Sequence, residues 1–139
     1  KITINSINKK RDLVNNYHLV SDQIIEQFRY INDAQEIMIK ELNNNLDLEA
    51  MYLIDVDSSK QIHDTVINNR NDRFTPSKGG DEHYLKEYYY ITLESKQGIF
   101  LSPNYVSYAS GNICKTFARK FKLENESYII CLDIIIKRN

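Results

Sequence analysis

From Lys9 to Leu46 the chain carries neither Pro nor Gly, and its apolar residues recur at steps of three and four. Leu13, Val14, Tyr17, Val20, Ile24, Ile25, Phe28, Ile31, Ala34, Met38 and Leu42 trace one stripe at the helical period. The spacing predicts a single long helix over about 1–47, closed by Asn43-Asn44-Asn45. A helix with one apolar stripe must bury it against a second layer. That layer begins at Ala50, where the helical period gives way to short apolar runs. Met51 to Ile54 with Val56 predicts a strand, Asp57-Ser58-Ser59-Lys60 a turn, and the weak alternation of Gln61 to Ile67 a second strand. Asn68 to Glu82, with Pro76 and Gly79-Gly80, is a polar loop. Leu85 to Glu94 predicts a short helix with its aromatics facing inward. Ile99–Leu101, Ile113–Phe121 and Tyr128–Ile136 predict strands, separated by the Ser102-Pro103-Asn104 turn and a charged turn at 123–127. Two of the three connections are too short for parallel crossovers, so most strands are expected to be antiparallel. The expected fold is α+β, one domain over 1–139: a long N-terminal helix packed on an antiparallel five-stranded sheet that occupies about 48–139.

At 139 residues a single domain can bury roughly two thirds of its unfolded surface without a staple. A net charge of -1 offers no electrostatic case for nucleic acid or anionic lipid. No run approaches the roughly 18 apolar residues of a membrane span, so a membrane would be met only through flanking segments outside this chain. With Lys rather than Met at position 1, and an abrupt end after a strand, the sequence reads as a piece of a larger protein. Cys114 and Cys131 are too few for a disulfide framework or a four-ligand zinc site. Each lies among apolar strand residues and reads as a small buried hydrophobe. Whether the two are bonded depends on a strand register that the sequence leaves open.

Gly79-Gly80-Asp81-Glu82 matches the four-residue signature of diguanylate cyclases, yet its setting excludes that chemistry. The cyclase motif sits in a tight hairpin between two apolar strands. Here it is flanked by Thr75-Pro76-Ser77-Lys78 and by a polar, aromatic helix start. His18, His63 and His83 are scattered without metal-ligand spacing, and the chain contains no GxSxG elbow, GxGxxG loop or GK[ST] phosphate loop. No nucleophile, base or metal set emerges, so the chain is not expected to be an enzyme or to carry a cofactor or metal.

The chemistry concentrates in the second half. Lys86, Tyr88 and Tyr89 cluster at the start of the short helix, and Tyr105, Ser107 and Tyr108 follow the Pro-Asn turn. Such residues can line a concave, largely aromatic pocket with a few polar groups aimed inward, although tyrosines also pack in cores with their hydroxyls at the rim. Asp133 interrupts an apolar run from Ile129 to Ile136, where an unpaired carboxylate is costly. It either meets a structural partner, lies where the strand reaches solvent, or faces a cationic group of a ligand.

As an ordered set these features resemble the Cache family, the PAS-like extracytoplasmic sensor modules of bacterial membrane receptors. The matching segments are Tyr52-Leu53-Ile54-Asp55 before a polar turn, Lys86-Glu87-Tyr88-Tyr89 at a helix start, Ser102-Pro103-Asn104-Tyr105-Val106-Ser107, Cys114-Lys115-Thr116-Phe117, and Asp133-Ile134. The similarity covers roughly 49–136. It implies a Cache-type sheet and a site made of Lys86, Tyr88, Tyr89, Tyr105, Ser107, Thr116 and Asp133. The first three would grip an anionic group, Tyr105 would wall the pocket, and Asp133 would face a positive or hydroxylated group. Lys86 stands where the family pattern has Arg, which removes bidentate carboxylate recognition, and Tyr88 stands where amino-acid sensors commonly have Trp. A small carboxylate or other polar metabolite therefore fits as well as an amino acid. The resemblance further implies the periplasmic part of an inner-membrane signalling protein, with a small-molecule ligand and a homodimer through the N-terminal helix. The competing expectation is a ligand-free PAS-like dimerisation or interaction module, in which Lys86 and Asp133 would point apart.

Overall fold

The structure, a computed structural model, describes residues 3–68 and 73–139. Helix α1 spans Ile4–Ile25 and is capped by Thr3, whose hydroxyl oxygen accepts from the Ser6 amide. The expected single helix breaks after it. The amides of Gln27 and Phe28 turn back to the carbonyls of Ile24 and Ile25, Tyr30 is extended, and a short 3-10 turn at Ile31–Asp33 leads into α2, Ala34–Asn44. The cause is packing. A straight helix over 9–46 would reach about 57 Å, well beyond a domain of this size. The break returns the stripe to one core, so that Ile24, Phe28, Ala34, Met38 and Leu42 are all buried in the same cluster. Phe28 turns onto Phe121 with ring centroids 6.0 Å apart. The Gln27 side chain clamps the two helices, donating to Glu41 and accepting from Lys40, each at 2.6 Å.

The remaining elements are β1 (Leu48–Asp55), β2 (Val66–Ile67), α3 (Glu87–Glu94), β3 (Ile99–Leu101), β4 (Tyr105–Val106), β5 (Ile113–Leu123) and β6 (Glu126–Lys137). The sheet is antiparallel throughout its pairings, with five strands in the order β2-β1-β6-β5-β3. The two-residue β4 is an addition that pairs on β5. The α+β class with an antiparallel sheet is as the sequence predicts. The second strand is shorter than its weak alternation suggests: Gln61 only bridges to Ile54, because Ser59 and His63 adopt positive φ and interrupt the ladder. The β5–β6 turn tightens to Glu124-Asn125, both at positive φ, the backbone that two-residue hairpins favour.

The sheet has two distinct faces. Leu53, Phe117, Phe121, Ile130, Leu132 and Ile134 point to the helices and form the main core with α1 and α2. Tyr52, Ile54, Ala118, Ile129 and Cys131 point to the opposite face, beneath α3. Cys131 pairs with Ala118, and Cys114 lies four positions away along β5. At about 3.4 Å per residue that separation is beyond disulfide reach, and both thiols are free and buried. Arg119 on β5 bonds the His18 carbonyl, the Ser21 hydroxyl and the Asp22 carboxylate on α1. Lys10 presses electrostatically on Lys115. Helix α1 therefore runs alongside β5 in the same direction, and its beginning lies by the end of the sheet where β6 finishes.

Candidate ligand-binding site

A cavity of about 700 Å³ opens on the sheet face away from α1 and α2. Its floor is the centre of the sheet, where Thr116 on β5, Asp133 on β6 and Ala50 on β1 lie side by side. One wall is Tyr88 with the start of α3. Another is the segment from Ser102 to Ala109, which carries Tyr105 and Ser107. The loop residues Phe74, Pro76 and Ser77 complete the rim.

Asp133 sits on the floor with its side chain held by a relay. Thr116 donates its hydroxyl proton to Asp133 Oδ1 at 2.8 Å. Thr116 has only one proton to give, so Tyr105, its hydroxyl 2.8 Å from Thr116 Oγ1, donates to Thr116. Burial raises the Asp133 carboxyl to about 6; the Thr116 hydrogen bond, with the Tyr105 hydroxyl behind it, opposes that rise, and the charge of Glu49 adds to it. Burial, with Asp133 next, also pushes the Tyr52 and Tyr105 hydroxyls far above their ordinary range, so both remain protonated.

Glu49 is the functional candidate that sequence reasoning missed. Plain alternation along β1 would place it with Met51 and Leu53 on the helix face. The pairing of β1 with β6 slips between Leu48 and Ala50, a bulge that turns Glu49 and Ala50 together toward the cavity. Glu49 is 4% exposed and accepts bonds from Ser107, Ser110 and, at 3.2 Å, the Asn112 amide. It is thus a buried carboxylate held by neutral donors. Burial and the nearby Glu49 charge together push the Cys114 thiol to about 12.

On the α3 side, the Gln61 amide nitrogen points at the carbonyls of His63 and Ser77, which leaves its oxygen facing His83 Nε2 at 2.9 Å. His83 must therefore carry its proton on Nε2. Burial lowers its pKa, so the ring is neutral and Nδ1 accepts from the Tyr88 hydroxyl at 2.6 Å. This network locks Tyr88 against Tyr52, their rings edge to face at 5.7 Å.

Of the seven residues singled out in the sequence, Lys86, Tyr88, Tyr105, Ser107, Thr116 and Asp133 line this cavity. Tyr89 does not: the helical turn carries it to the sheet, where its hydroxyl donates to the Val56 carbonyl at 2.6 Å. The inward-facing aromatic helix holds only in part, because Tyr90 is exposed. Lys86 is exposed at the mouth beside Glu87. The cyclase-like Gly79-Gly80-Asp81-Glu82 lies in a surface loop, with Asp81 accepting from the Lys78 amide and Glu82 from the Ser59 hydroxyl. Among the described residues no three His, Cys, Asp or Glu side chains are grouped to hold a metal ion, and no helix is long and apolar enough to cross a membrane.

No family model and no curated protein matches the chain. Solved structures do. The ligand-binding domain of the Campylobacter jejuni chemoreceptor Tlp3, in complex with 4-methylisoleucine, superposes over 93% of this chain with a TM-score of 0.65 and 15% identity. The extracellular domain of a protein described as a histidine kinase, mmHK1S-Z2, covers 93% with a TM-score of 0.56 and 14% identity. The fold is the Cache-type, PAS-like α+β fold. The Bacillus subtilis YkuI protein, which has an EAL domain and was solved with c-di-GMP and calcium, matches 95% of this Cache-type domain with a TM-score of 0.66 and 15% identity. The domain spans 52% of the chemoreceptor chain, 60% of the mmHK1S-Z2 chain and 35% of YkuI. At these identities the likeness concerns the fold alone.

Proposed function

We propose that the chain is the extracytoplasmic ligand-binding sensor domain of a bacterial transmembrane signalling protein, a chemoreceptor, histidine kinase or cyclic-dinucleotide enzyme. Its ligand is a small polar metabolite such as an amino acid or carboxylate. The observation that carries this reading is the cavity itself: Lys86 at its mouth and Asp133 on its floor line one space of about 700 Å³. A ligand-free interaction module has no use for a partly buried, ionisable floor of this kind. Two facts lend support. Tlp3 shares the fold and was also solved with isoleucine and with L-valine, and the mmHK1S-Z2 neighbour is an extracellular domain.

Ligand-dependent stabilisation tests the reading. Thermal unfolding of the purified domain against amino acids, amines, carboxylates and purines is expected to show at least one class that raises the midpoint, because binding to the native state alone adds RT ln(1 + [L]/Kd). That shift is expected to disappear in Asp133→Ala. A flat response to every class would return the weight to the interaction module.

The signal would leave through the shared end of α1 and β6. A ligand moves such an equilibrium only by its different affinity for two states, and here the cavity wall and the end of β6 are joined directly. Asn112 donates to Glu49 while its carbonyl oxygen accepts from the Asn139 amide at 2.8 Å. On α1, Ile4, Ile7 and Leu19 are exposed apolar residues, and we place a homodimer contact there. Sedimentation is expected to show self-association that Ile7→Glu weakens; a domain that stays monomeric at high concentration would refute the contact.

A further inference from the structure

We infer that the natural ligand is an organic cation of net positive charge, with an ammonium or guanidinium group lodged between Asp133 and Glu49. This rests on the sensor reading above and narrows it to one ligand class. The first argument is charge. The ionisable acids and bases lining the cavity, apart from its tyrosines, are Glu49, Asp133, Lys86 and Glu87. Lys86 and Glu87 sit together at the exposed mouth and offset each other. Among the described residues, the interior is left with two carboxylates and no side-chain cation. A neutral amino acid would leave that imbalance in place, a small carboxylate would worsen it, and a net cation removes it.

The second argument is the direction of the hydrogen bonds. Ser107 donates to Glu49, Thr116 to Asp133, Tyr105 to Thr116 and Tyr88 to His83. The hydroxyl protons of Ser107, Thr116, Tyr105 and Tyr88 are thus spent within the protein. What the wall offers a ligand is lone pairs, including those of Asp133 that Thr116 does not use. A ligand group entering here must bring donors, and ammonium and guanidinium bring three or more with positive charge. The Tyr52, Tyr88 and Tyr105 rings alongside suit a cation's edge as well.

The third argument is how Glu49 reached this place. A regular strand would have spent this position on the core face. The bulge between Leu48 and Ala50 brings Glu49 to the wall that this cavity shares with a smaller one lined by Arg138, and the side chains that bond its carboxylate, Ser107, Ser110 and Asn112, are neutral. An acid that serves only to hang the loop could be replaced by an amide of the same shape. A second negative charge at the floor is accounted for by a ligand that carries positive charge to it.

The test is a set of five-carbon compounds whose net charge runs from dication to dianion: pentane-1,5-diamine, L-ornithine, L-norvaline and glutarate. Calorimetric titration of the wild-type domain is expected to give at least about tenfold tighter binding for ornithine or the diamine than for norvaline, with none for glutarate. Added salt is expected to weaken the cations and leave norvaline unchanged. Glu49→Gln is expected to erase the preference of ornithine over norvaline, and Asp133→Asn to remove binding of both cations should the Glu49 variant prove unstable. Norvaline or glutarate binding as tightly as the cations would overturn the inference while leaving the sensor reading intact. Silence from all four compounds, together with a flat response to the wider panel, would remove the sensor reading and the inference with it.

Discussion

Asp133→Asn is expected to make the ligand-free domain more stable at neutral pH, by about 2–3 kcal/mol, while destroying ligand binding. The folded-state pKa of about 6 stands above the ordinary 3.8. Folding therefore favours the neutral acid, and the penalty for ionising it in the cavity falls on the native state. Below about pH 4 the carboxyl is protonated in both states and the penalty vanishes. It grows as pH rises through the folded pKa and is complete above it, at about 1.4 kcal/mol per unit of displacement. Asparagine keeps the oxygen that accepts from Thr116 and removes the charge. For a domain of this length the gain corresponds to a melting-point rise on the order of 5–10 °C at pH 7.5, shrinking toward zero near pH 4. Differential scanning calorimetry across that range decides it. A variant less stable than wild type at neutral pH, or a gap that ignores pH, would show that the carboxylate is a structural partner and not a stored charge. The expected trade of stability for binding is the signature of a group kept for function.

The same residue shows how much of this site was legible beforehand. Asp133 stood out because one acid inside an apolar strand has few physical excuses, and the order of motifs around it placed Lys86, Tyr88, Tyr105, Ser107 and Thr116 near it. These six share the cavity because strand residues two apart face one way and because Thr116 and Asp133 are direct neighbours across β5 and β6. Proximity in sequence groups Tyr89 with Tyr88, but adjacent residues on a helix diverge by about 100°. The helix break at 26–30 was not legible, since no Pro or Gly marks it and the stripe continues through it. Only the size of the core forces the turn, and that is a tertiary property. Glu49 was hidden for a related reason. A bulge inserts one residue into a strand without a composition signal, and a one-residue slip reverses the face of everything before it. Reading LEAMYLID as strict alternation buries Glu49 among Met51 and Leu53, which no carboxylate tolerates. That contradiction was the one available clue to the bulge.

Glu49→Ala is the second change with a large expected effect, in the opposite direction. It strips the acceptor from Ser107, Ser110 and the Asn112 amide, and each stranded donor costs on the order of 1 kcal/mol. The domain is expected to lose about 3 kcal/mol in urea unfolding, with amide exchange rising first over 107–112, the segment that forms a cavity wall and holds the Asn139 amide through Asn112. Glu49→Gln separates two roles that alanine removes together. Glutamine still offers one oxygen, and a serine hydroxyl can reverse to accept from its amide, so the loss is expected to be near 1 kcal/mol. With the charge gone, however, one of the causes that lifts Asp133 also goes, and its titration is expected to move down toward the ordinary carboxylate range. Nuclear magnetic resonance of the Asp133 carboxyl in the two proteins measures this directly. An unmoved titration in a well-folded Glu49→Gln would mean the two acids do not feel each other across the floor, and Glu49 would then be only the hook for the loop. A fall would mean that the bulge, the buried acid and the raised carboxyl are one arrangement, built on the strand that ends beside α1.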